Sequence, residues 1–173
     1  MSLSDLSSVS SLVSGMAVLV SLVYLSLQVR QTERNQRALM NQGIITRVSD
    51  GIRWQAEPHM SGLVSRLTAG ETEFTAQELI QLGLRLRNTL NNVQDTYVQH
   101  RAGLVDSLTF ETSLHALRTA LSQPVNRALW KSTREAIAPE WRTFVDGSMA
   151  ELPLARPIDI VARFKSNLAE ITQ

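Results

Sequence analysis

Residues 6–29, LSSVSSLVSGMAVLVSLVYLSLQV, run for 24 residues without a charge, between Asp5 and Arg30. As a helix this run is about 36 Å long at ~1.5 Å per residue, more than the about 30 Å of a bilayer's hydrocarbon core. It predicts a membrane-crossing helix over residues 1–29 and leaves the rest to fold around its own core. Two other readings compete. A secretory signal needs a basic n-region and a small-residue cleavage site, but residues 1–11 hold no Lys or Arg and no A-x-A site follows the run. A buried helix of a soluble domain draws support from the seven serines between Ser7 and Ser26, which lower the hydropathy. Against it, soluble helices of this length carry a charged face.

The flanks set an orientation. Only Asp5 precedes the run, whereas Arg30, Arg34 and Arg37 follow it. The positive-inside rule then places the N-terminus outside and residues 30–173 in the cytoplasm. Spacings of four and three put the three arginines on one side of the emerging helix. There they serve as topogenic charge and as contacts for anionic lipid head groups. Within the run Ser7, Ser11, Ser14 and Ser21 fall near one helical face, with Gly15 beside them. Small residues so placed let helices approach closely in lipid, which points to self-association or to docking on another membrane protein. The alternative is that the serines bond back to their own helix carbonyls.

The remaining chain reads as helices. The net charge of +1 supplies no field to recruit nucleic acid, and the absence of Cys excludes disulfides, thiolate metal sites and cysteine nucleophiles. Leu is abundant while Gly and Pro are sparse. From Gln28 to Gln55 no Pro interrupts, and Leu39 or Met40, Ile44, Val48 and Ile52 recur at helical spacing. Residues 30–57 are therefore expected to continue the apolar helix as an amphipathic one, with Gly43 and Gly51 as candidate bends. Pro58 ends it and opens a third region, residues 58–173.

That region begins with a short helix carrying Met60, Leu63, Val64 and Leu67, ending at Gly70. Thr75 and Glu78 form a capping box. The helix they open carries Leu79, Leu82, Leu86, Leu90, Val93 and Tyr97 as one stripe, and Gly103 stops it. Asp106 or Ser107 caps the next, with Phe110, Leu114, Leu117 and Leu121 inward. Pro124 opens a helix with Val125, Leu129, Trp130 and Ile137; Pro139 opens another with Trp141, Phe144, Val145 and Met149. After Pro153 and Pro157 a last helix, about 158–172, is expected to turn Ile160, Val161, Phe164, Leu168 and Ile171 inward. The fold class is all-α: a transmembrane helix continuing into a cytoplasmic bundle of about five to six helices.

Chemistry-bearing motifs are few. On the helix opened at Thr75, Asn88, Asn92, Asp95 and Gln99 form a polar stripe that can meet a ligand or partner helix, with Asp95 as acceptor and Arg85 as counter-charge. An ordinary solvated face, or a satisfied polar layer between helices, gives the same pattern. His59, His100 and His115 are too scattered for a metal site. The serines lack a G-x-S-x-G setting, and no glycine loop suits phosphate. No catalytic residue, cofactor or metal is expected, and the reading is non-enzymatic. Trp54, Trp130 and Trp141 are candidates to line a pocket, with Trp130 and Trp141 expected rather to anchor the core.

Two stretches carry a resemblance. Ser21, Leu22, Tyr24, Leu25, Gln28, Val29, Arg30 and Gln31 fit a Ser-Leu-x-Tyr-Leu-x-x-Gln-[Ile/Val]-Arg-Gln signature at the end of an apolar helix. Tyr97, Gln99, Gly103, Leu104, Pro124, Trp130, Phe144 and Val145 fit the pattern of the body that follows. Together they cover most of residues 17–150 and resemble a family of small, uncharacterised bacterial inner-membrane proteins. Asp95 and Leu129 depart from the pattern. The resemblance implies an inner-membrane location and a helical domain, with no activity or functional residue to carry over.

Overall fold

The computed structural model describes residues 3–150 and 152–172, with side chains from residue 13 onward. Among the described residues there are seven α-helices, one 3-10 turn and no strand, so the fold is all-α. The first helix, α1 (Leu3–Gln55), is unbroken through the apolar run and beyond, Gly43 and Gly51 included. The chain divides into two units inside this helix: the first runs to Gln42, the second begins at Gly43.

In the first unit, α1 is long and apolar enough to cross a membrane, and none of its most apolar window is buried. Every described side chain from Val13 to Val29 is exposed, among them Leu19, Leu22, Val23 and Leu27. Tyr24 and Gln28, one turn apart, bond to each other, with Gln28 Nε2 donating to the tyrosine oxygen at 2.7 Å.

The second unit holds the last turns of α1 and α2 (Pro58–Thr68), α3 (Ala76–Arg101), α4 (Ser107–Ser122), α5 (Pro124–Thr133), a 3-10 turn (Arg134–Ala136), α6 (Pro139–Met149) and α7 (Ile160–Ile171). The predicted punctuation marks are in place. Thr75 and Glu78 close a reciprocal capping box, and the Asp106 carboxylate accepts from Thr109 N at the start of α4. Pro58, Pro124 and Pro139 each occupy the first turn of a helix, where a missing N–H costs nothing.

Two clusters make up the core. The larger joins α3, α4, α5 and α6 through Leu86, Leu90, Val93, Leu114, Leu117, Leu121, Trp130, Trp141 and Val145. The smaller joins α2 to α3 and α5 through Met60, Leu63, Leu67, Leu82 and Val125, with Trp54 of α1 packed against it. Trp130 is wholly buried, and its Nε1 donates to Asp146 Oδ1 at 2.8 Å. Two polar residues share this interior. Thr96 Oγ1 donates back to Asn92 O at 2.9 Å, and Asn126 Nδ2 donates to Ala120 O at 2.8 Å across the α4–α5 corner.

The boundary between the two units falls at Gln42 and Gly43, within the stretch 30–57, and α1 from Gly43 belongs to the unit that also holds α2 to α7. Two expectations about which faces are buried need correction. First, α1 does not turn its apolar stripe inward: Leu39, Val48 and Ile52 are exposed, and Met40 and Ile44 are half-buried. The face laid on α3 holds Arg47, Gly51 and Gln55 instead, because it meets a polar face of α3 rather than an apolar one.

The second correction is α7. Ile160, Val161, Phe164, Leu168 and Ile171 do share one side, yet none is buried, and all its residues are exposed. The preceding strap explains this. Arg127 Nη2 donates to Leu152 O, Ala155 N to Ser122 O at 2.9 Å, and Ile158 N to Thr68 O at 3.0 Å. Pro157 lies against Gly70. The strap is spent on the surface of a core that α2 to α6 already fill, so α7 starts at the periphery.

Candidate functional site

The polar stripe of α3 faces the last turns of α1, and the two helices run antiparallel. Arg47 pairs with Asp95 at 2.5 Å, and Gln99 Nε2 donates to the same carboxylate oxygen at 2.8 Å. Further along, Arg85 Nε donates to Gln55 Oε1 at 2.8 Å. Between these ties the helices come close: a β-carbon on Gly51 would lie 3.2 Å from Asn88 Nδ2. Arg47, Gly51 and Gln55 are each four residues apart, which stacks them along one edge of α1.

Arg85 is therefore not the counter-charge of Asp95. Ten residues of helix separate the two, about 15 Å along the axis, beyond any direct pairing. Arg47 takes that role. Burial against α1 pushes the Arg85 guanidinium below its ordinary pKa. The Gln99 carbonyl oxygen is buried without a hydrogen-bond partner.

The remaining stripe residues line a groove. Arg47, Asp50, Gly51, Trp54, Leu84, Asn88 and Asn92 enclose an open cavity of about 430 Å³. On the other side of Gly51 a narrower, more apolar cleft of about 180 Å³ lies among Ile44, Val48, Ile52, Thr89, Val93 and Ala116. The groove thus offers a guanidinium, a carboxylate and two amides beside an indole wall. Such a set suits a planar polar group held by hydrogen bonds and stacked on one side.

The sequence placed Asn88, Asn92, Asp95 and Gln99 together, and the structure groups them on one face. Of the opposite wall, Trp54 stands out in the sequence as a pocket candidate, whereas Arg47 and Asp50 do not. The signal for Arg47 was the spacing of four between Arg47, Gly51 and Gln55, which the more conspicuous Ile44, Val48 and Ile52 mask.

Other candidate residues are dispersed. Ser14, Gly15 and Ser21 are exposed on α1, and Ser21 Oγ donates back to Ala17 O at 2.8 Å. The side chains of Ser7 and Ser11 lie outside the described residues. Arg30, Arg34 and Arg37 are exposed. The histidines are separate: His100 stacks on Phe110 at 4.7 Å and its Nδ1 meets Val105 O at 3.0 Å, while His59 lies 3.7 Å from Glu57. Among the described residues no group of three or more His, Cys, Asp or Glu is placed to hold a metal.

Compared with known proteins, the chain matches no family model, no curated protein and no solved structure.

Proposed function

We propose that this chain is a non-enzymatic, membrane-anchored interaction protein that self-associates through its N-terminal helix. The observation that carries the reading is the full exposure of the apolar side chains from Val13 to Val29. Seventeen residues of mostly apolar surface left in water run against the hydrophobic effect that buries the two core clusters. A bilayer removes that conflict. In this reading Arg30, Arg34 and Arg37 sit at the cytoplasmic head groups of a bacterial inner membrane and the N-terminus is outside. Ser14, Gly15 and Ser21, with Ser7 and Ser11, form the packing edge toward a second copy or another membrane protein.

An alkaline carbonate wash of membranes tests the anchor. Retention in the pellet is expected, and release into the supernatant overturns it. Light scattering on the full chain in detergent tests self-association. Mass above one chain is expected, with a fall in mass on Gly15→Leu, whereas a mass unchanged by Gly15→Leu or a monomer at every concentration overturns it.

A second reading rests on the groove between α1 and α3. In it, the second unit senses a small polar ligand through Arg47, Asn88 and Asn92, with Asp95 holding Arg47 in place. A thermal-shift screen against polar metabolites tests it. A hit whose stabilisation disappears in Asp95→Ala, while the variant still melts cooperatively, supports sensing. A hit unaffected by Asp95→Ala, or no hit, counts against it.

A further inference from the structure

The most exposed apolar face of the second unit belongs to α7. Ile160, Val161, Phe164, Leu168 and Ile171 are between 48 and 82 % exposed. At about 100° per residue all five fall within one arc of roughly 100°. They present on the order of 500 Å² of apolar surface, at the upper end of what a monomer leaves in one patch. A helix this short is marginal in water on its own, although Asp159 caps it by accepting from Ala162 N at 2.9 Å. The face is built to be covered.

Charge indicates by what. Residues 159–172 carry Asp159 and Glu170 against Arg163 and Lys165, a net charge of zero. A helix that lies on an anionic bilayer carries a basic excess instead. Arg163 and Glu170, seven residues apart, lie on the same flank of the arc. In an antiparallel pair related by a two-fold axis, same flanks meet and position 163 of one helix comes level with 170 of the other. The arrangement is self-complementary, as an isologous interface requires. It also brings Phe164 within one residue of the level of Leu168, and Val161 within one residue of Ile171, an offset of about 1.5 Å. Two such faces together approach the roughly 1,200 Å² at which specific interfaces begin.

We infer that α7 is a homodimerisation helix, which pairs antiparallel with α7 of a second copy of this chain through Val161, Phe164, Leu168 and Ile171, with Arg163 and Glu170 exchanged across one rim. This contact is separate from any packing of the N-terminal helix.

The natural chain contains no cysteine, so single cysteines report the geometry cleanly. Asn167 lies at the rim near the two-fold axis, and Ser166 points to the opposite side of the helix. In the full chain in detergent, a short bis-maleimide should join Asn167→Cys copies several-fold more than Ser166→Cys copies. On the Asn167→Cys background, Arg163→Glu and Glu170→Arg should each lower cross-linking, and the two together should restore it. Phe164→Glu should abolish it. Equal cross-linking at positions 166 and 167, or no restoration by the double exchange, overturns the proposal. Light scattering on the Phe164→Glu chain, without cross-linker, reads association through α1 alone.

Discussion

Pro157 lies on Gly70 so closely that a β-carbon on the glycine would sit 2.6 Å from the proline Cγ. Gly70 also holds a φ of +88°, which side-chain-bearing residues rarely adopt. Gly70→Ala is therefore expected to cost about 1–2 kcal/mol from the backbone alone and to lift the strap before α7. Chemical denaturation and limited proteolysis at residues 152–158 check both effects. Gly62→Ala is the control. A β-carbon there meets nothing within 4 Å, and the gain in helix propensity of about 1 kcal/mol makes that variant neutral or more stable.

The Arg47–Asp95 pair joins α1 to α3, but its side chains are 39 % and 44 % exposed. Solvent screens such a pair, and its coupling is expected at about 0.2–1 kcal/mol. A double-mutant cycle with Arg47→Gln and Asp95→Asn checks the value, and added salt should lower it. A coupling of several kcal/mol would show the pair to be far better shielded than its exposure implies.

Acid should loosen the helix starts. The backbone N–H of Thr75, with Arg66 and the Thr75 hydroxyl, holds the Glu78 carboxyl below its ordinary 4.5. Asp106 is likewise lowered, first by the Thr109 N–H that it caps. A carboxyl lowered in the folded state adds stability that is complete above its unfolded value and lost as pH falls through the folded one. Melting temperature should hold above about pH 5 and decline below it. Glu78→Gln should flatten that decline while lowering the plateau.

Trp130 is the keystone of the larger cluster, wholly buried and bonded to an Asp146 that Arg134 also holds at 2.8 Å. Trp130→Ala is expected to cost about 3–5 kcal/mol. Trp130→Phe keeps most of the packing, leaves Asp146 to Arg134, and should lose less. Urea denaturation of the two variants orders them, and equal losses would argue that the hydrogen bond outweighs the ring.

The second unit's helices were legible because their boundaries are local. Thr75, Asp106, Pro58, Pro124 and Pro139 each act within one turn of themselves, and Leu86, Leu90 and Val93 repeat with the helix period. What escaped is non-local. The stripe of α7 has the same period as that of α3, and nothing inside it records that the core closes without it. The wall of the groove on α1 is polar, so apolar periodicity pointed away from it. Arg85 and Asp95 share a helix, but their separation along its axis decides against pairing, and only the arrival of Arg47 supplies the partner. Asn126 is buried for a similar reason, its amide completing a corner made by Ala120 six residues earlier.

The division of the chain falls within a helix and not in a loop, since Gly43 begins the second unit while α1 continues to Gln55. Apolar run and domain are consequently not interchangeable modules. A cut at Pro58, the first loop that invites one, would carry Trp54 away from Met60 and Leu63 and leave Asp95 without Arg47. A chimera that replaces the apolar run must therefore be joined within α1 and keep residues from Gly43 onward.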